Sequence, residues 1–154
     1  MDALSGQPAT LPQLLQLPLL TPLRRIAHPL GDIYHAVKAT DDGYAGFGEA
    51  YFTTVHQGAV KGWKQHSRMQ LNLVVPEGAV CFYVRDDSGR RFRHVLGTTD
   101  GAAYARLTVP PGYWVAFRGV GTGLNLVLNV ASIAHDPLES ANAPLESHAL
   151  WGDA

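Results

Sequence analysis

At 154 residues, with 46% hydrophobic and 16% charged residues, the chain has the size of one domain and enough apolar material for a sizeable core. Its 12 basic and 13 acidic residues leave a net charge of −1, and the Lys and Arg residues do not cluster, which argues against a nucleic-acid partner. The single cysteine, Cys81, excludes an intrachain disulfide and fits a reducing, cytoplasmic compartment.

In chain order, residues 1–25 read as an irregular N-terminal arm. Pro8, Pro12, Pro18 and Pro22 rule out a long helix. The leucines Leu14, Leu15, Leu17, Leu19 and Leu20 still need cover, from a short helical turn or from a neighbouring subunit. The apolar run Leu11 to Leu20 is short and broken by prolines and glutamines, so no membrane span is expected.

Residues 26–140 read as a β-barrel. Strands are predicted over Ile33 to Ala39, Gly48 to Val55, Met69 to Val75, Val80 to Arg85, Ala103 to Val109, Trp114 to Arg118 and Leu124 to Ala131. These runs are short and rich in β-branched and aromatic residues. Turn chemistry separates them, as in Asp41-Asp42-Gly43, Pro76-Glu77-Gly78 and Pro110-Pro111-Gly112. Such spacing favours a sandwich or barrel over βαβ units. Residues 141–154 form a tail packed on the barrel, with Trp151 as an anchor.

Of seven histidines, His66 stands out, because an extended chain puts Lys64, His66 and Arg68 on one face. The plain reading is a solvated cationic edge. The sharper one is an anionic pocket in which neighbouring cations keep the imidazole neutral, so that it acts as a base. A cupin-type metal centre needs His-x-His, a following carboxylate and a further His. Lys64 and Val115 stand where two of the histidines would be, so no metal is expected. Gly119 to Gly123 is a tight loop rather than a phosphate cradle, since a strand follows it. Cys81 reads as a buried core residue.

The segment Glu49-Ala50-Tyr51-Phe52 through Lys61-Gly62-Trp63-Lys64-Gln65-His66 to Leu73-Val74-Val75-Pro76-Glu77-Gly78 resembles the central motif of the dTDP-4-dehydrorhamnose 3,5-epimerase family. Leu107-Thr108-Val109-Pro110-Pro111-Gly112-Tyr113-Trp114 and Asn129 to Pro137, with Glu139 after it, are similar to that family's later motifs. The resemblance spans roughly residues 30–140 and implies a mainly β, cupin-type jelly-roll barrel, a homodimer and a nucleotide-linked sugar as ligand. It also marks departures. Lys64 stands where the family has its catalytic histidine, Ile133 where it has the partner aspartate, and Asn129 near its tyrosine.

What the resemblance implies is an epimerase or ketoisomerase that removes a proton beside the carbonyl of a nucleotide-linked 4-keto sugar, without a cofactor. His66 is then the expected base and Lys64 the enolate stabiliser, with the two roles interchangeable. Lys61 and Arg118 are expected at the pyrophosphate, and Glu49 and Asn72 at sugar or base hydroxyls. Tyr51, Trp63, Tyr83 and Trp114 are read chiefly as core, with stacking on the base or sugar as the alternative. The alternative is a non-catalytic cupin that binds a sugar nucleotide or related carbohydrate.

Overall fold

The computed structural model describes residues 14–152. Two five-stranded antiparallel sheets face each other. The first runs in the order β1 (Leu19–Pro22), β9 (Ala105–Val109), β6 (Leu71–Glu77), β11 (Leu126–Ala131), β4 (Glu49–Thr54). The second runs β12 (Ser140–Asn142), β5 (Val60–His66), β10 (Trp114–Gly119), β7 (Ala79–Arg85), β8 (Arg91–Gly97). β2 (Arg25–Ile26) and β3 (Ile33–Tyr34) form a separate two-stranded sheet that packs on Tyr104, and one 3-10 turn covers Leu145–Ser147. This is the mainly β, jelly-roll-like architecture expected from the strand pattern.

Period-2 alternation explains the core. On β11 the buried residues Val127, Asn129 and Ala131 alternate with half-buried Leu126, Leu128 and Val130. Inward residues of both sheets, among them Leu73, Val75, Phe82, Val84, Leu107 and Val115, make one continuous cluster. The strands β6 and β7 are buried on both faces, because each outer face is also covered. Over β7 lies the C-terminal tail: Trp63, 1% exposed, stacks on Trp151 at 6.0 Å, and its indole N–H donates to the His148 carbonyl at 3.1 Å. Cys81 is fully buried in the same cluster.

Several expectations need correction in detail. Residues 1–13 of the arm lie outside the described residues, but Leu19–Pro22 is a strand, paired with β9 along Leu19↔Thr108 to Pro22↔Ala105. The strand expected over Ile33 to Ala39 stops at Tyr34. The chain then crosses the outer face of the first sheet, where the Ala36 and Asp42 carbonyls accept hydrogen bonds from the fully buried Arg106. That guanidinium would be costly without partners, and Asp41 and Asn72 complete its set. β5 and β8 are strands that the sequence pattern does not reveal, because lysine, arginine and histidine interrupt their apolar alternation.

Candidate functional site

β5 carries the site, and two local features aim its side chains. Between Lys61 and Lys64 the register with β10 slips, so that Lys64 pairs with Val115 and Lys61 with Phe117, both inward-facing residues. The extra residue falls at Gly62-Trp63 and turns Trp63 to the outer face. Gly62 is required there, since a Cβ would lie 2.5 Å from that of Ala116. Along β5's other edge runs β12, in the register Ser140↔His66 to Asn142↔Lys64. That pairing delivers Glu139 to the turn that follows His66.

The result is a tightly held pair. His66 Nδ1 lies 2.6 Å from Glu139 Oε1, with the two side chains 11% and 1% exposed. Glu139 Oε2 accepts the backbone N–H groups of Arg68 at 2.9 Å and Met69 at 2.8 Å. Burial pushes the Glu139 carboxyl up, but these hydrogen bonds from His66, Arg68 and Met69 outweigh it and hold the carboxyl below its usual range. An ionised carboxylate only accepts, so the shared proton sits on Nδ1 and a neutral imidazole carries its lone pair on Nε2.

His66 and Lys64 both line a cavity of about 460 Å³ inside the barrel. Its walls are mostly apolar, from Leu71, Leu73, Phe82, Val115, Phe117 and Val127 with Phe52 at the β4 side, and its other polar groups are Tyr51, Thr53 and Asn129. Asn129 donates to the Tyr51 hydroxyl oxygen at 3.2 Å. At the rim, Lys61 donates to Thr53 at 3.0 Å and so links the two sheets. A base with a fixed tautomer, a cation two residues away and a phenol on the facing sheet can together move a proton on carbon next to a carbonyl.

The residues expected to bind ligand divide. Lys64 and His66 both line the cavity, and Lys61 reaches its edge only through its exposed hydrogen bond to Thr53. Asn72 does not: its side chain turns outward and holds the Gly43 carbonyl, Arg106 and Thr108. Arg118 does not either, because Val115 and Phe117 face inward and their neighbour Arg118 therefore faces the outer side, beside Gln57 and Gly58. Glu49 accepts the His135 backbone N–H at 2.9 Å and is not part of the cavity wall. Arg68 leaves the expected cationic face to pair with Asp136 at 3.1 Å. The group beside the imidazole is thus a carboxylate, not a cation.

Tyr51 and Glu139 are legible in the sequence only in part. Alternation puts Glu49, Tyr51 and Thr53 on one face, and the cavity rather than the packed core is what Tyr51 meets there. Glu139 matches a family motif, but linear spacing puts the dyad partner at Ile133, whose side chain packs on the core. Among the described residues no group of three or more His, Cys, Asp or Glu could hold a metal ion, and no helix is long and apolar enough to cross a membrane.

No family model and no curated protein sequence matches the chain. Solved structures do. A dTDP sugar isomerase from Desulfovibrio desulfuricans G20 is 33% identical, covers 88% of each chain and superposes with a TM-score of 0.78. The sugar 3,4-ketoisomerase QdtA from Thermoanaerobacterium thermosaccharolyticum, solved as a point mutant in complex with TDP-4-keto-6-deoxyglucose, is 18% identical with a TM-score of 0.69, over 83% of this chain and 88% of that one. The dTDP-4-dehydrorhamnose 3,5-epimerase from Sulfolobus tokodaii is 15% identical with a TM-score of 0.73, over 90% of this chain and 83% of that one. The last two share the fold.

Proposed function

This chain belongs to the family of dTDP-sugar isomerases and epimerases, and from that membership we propose that it is an enzyme acting on a nucleotide-linked 4-keto sugar by removing a proton next to the carbonyl. The observation that carries the reading is the 2.6 Å contact between His66 and Glu139 at the wall of the barrel cavity. Nε2 of His66 takes the proton from the carbon beside the ketone, and the electron pair moves onto the carbonyl oxygen as an enolate. Nδ1–H stays bonded to Glu139, which stabilises the imidazolium as it forms. The Lys64 ammonium offsets the negative charge developing on oxygen, in a cavity with few other charges. The Tyr51 hydroxyl supplies a proton from the facing sheet. Lys61, at the rim beside Thr53, meets the phosphates.

The apolar cavity wall suits the carbon face of a deoxygenated sugar ring. A homodimer is part of the proposal. Phe47 and Phe52 are 64% and 63% exposed, and the outer face of β11 adds half-buried Leu126, Leu128 and Val130. An apolar face of this kind marks an interface. A cytoplasmic setting, supported by the lone cysteine, completes the reading.

The test is incubation in heavy water with a panel of nucleotide-linked 4-keto sugars, dTDP-4-keto-6-deoxyglucose first. Deuterium beside the carbonyl, or an isomerised product, supports catalysis. Thermal stabilisation by the sugars with neither outcome would instead establish a binding protein that has lost the chemistry.

A further inference from the structure

Resting on the catalytic reading above, we infer that Asn129 is a positioning residue that sets the direction of the Tyr51 proton. Asn129 is 2% exposed on β11, directly opposite Tyr51 of β4 in the sheet register. Its Oδ1 accepts the backbone N–H of Asn72 at 3.2 Å. A backbone N–H only donates, so the atom facing it must be the amide oxygen, and this fixes which way the amide lies. Nδ2 therefore faces Tyr51 and donates to its hydroxyl oxygen, also at 3.2 Å.

The consequence follows from counting donors. The Asn129 oxygen is turned to Asn72, so Tyr51 does not donate to it. The Tyr51 hydroxyl accepts from Asn129 and is left with its own O–H to direct elsewhere. Tyr51 and Asn129 both line the cavity that holds Lys64 and His66, and Tyr51 is 44% exposed. Its proton is presented to whatever occupies that space. When the proton leaves, the Asn129 N–H remains to stabilise the phenolate oxygen. Asn129 itself need not touch the reacting atoms. It stands near where the family resemblance puts a tyrosine, and here the hydroxyl comes from the adjacent strand with Asn129 orienting it.

A double-mutant cycle on the full-length protein, with dTDP-4-keto-6-deoxyglucose as substrate, separates positioning from support of the fold. Tyr51→Phe is expected to lower kcat ~10²-fold. Asn129→Asp keeps an acceptor for Asn72 but replaces the donor with a second acceptor that captures the Tyr51 proton. It is expected to lower kcat by a similar factor with KM changed less than about threefold. In the Tyr51→Phe background it is expected to cost less than about twofold more. If Asn129→Asp fails to fold, Asn129→Thr removes the donor with a strand-compatible neutral residue and reads the same cycle. Losses that multiply, or an Asn129 variant with unchanged kcat, would overturn the positioning role and leave Tyr51 in place. Unchanged kcat in Tyr51→Phe would overturn both, while sparing His66 and Glu139. A wild-type protein inert toward the whole sugar panel would overturn the catalytic reading itself.

Discussion

Glu139 does two jobs through one carboxylate: it fixes the His66 tautomer and ties the turn after β5 through the Arg68 and Met69 amides. Its lowered pKa links the site to stability. A carboxyl whose folded pKa lies below its unfolded value contributes stability above the ordinary value of 4.5, and that contribution is lost as pH falls through the folded value. Glu139→Gln is therefore expected to flatten the acid side of the stability curve, measured by urea unfolding from neutral pH downward. It should also lower kcat at neutral pH by ~10²-fold or more, because the amide no longer holds the imidazole as the carboxylate does. An unchanged acid limb would contradict the assignment. Sequence alone brings His66 forward through its spacing from Lys64. It misses the partner, because a contact across 73 positions depends on β12 folding back along β5. Asn72 and Arg118 fail for the converse reason. Polar type suggests ligand contact, while strand parity turns both side chains outward.

At the scale of elements, β5 is held on both of its faces. Its inner face bears Lys64 and His66, and its outer face bears Trp63, against which the tail lays Trp151, with Arg85 over the indole at 4.7 Å. The backbone of Trp63 also exchanges hydrogen bonds with Ala143 in both directions. Trp63→Ala should cost about 3–5 kcal/mol in chemical denaturation, by leaving a cavity under the tail. A loss well under about 1 kcal/mol would mean that the tail does not depend on this contact. The strands most readily seen in the sequence are those with apolar alternation, such as Leu126–Ala131. β5 is visible as a motif but not as a strand, since its lysines and histidine face a cavity rather than a packed core. The short β1 is hidden by Pro22 and by Pro18 just before it, which an edge strand tolerates.

For the whole molecule, the two sheets leave a broad apolar surface uncovered among the described residues, on the outer side of β4 and β11. The crossing segment from Ala36 to Gly43 covers β6 and β9, and the tail covers β5 and β7. Leu128→Glu, on the outer face of β11 and away from the cavity, is expected to shift the protein from dimer to monomer in sedimentation velocity. A wild-type protein that sediments as a monomer at high concentration would remove the dimer from the account. Family membership and barrel architecture do not by themselves decide activity, since function resides in the site. The most direct test is the rate at which His66→Asn incorporates solvent deuterium beside the carbonyl of dTDP-4-keto-6-deoxyglucose, compared with the unaltered protein at equal substrate occupancy. The expected result is a fall of ~10²-fold or more with binding retained; deuterium entering at the unaltered rate would contradict the assignment of His66 as the base.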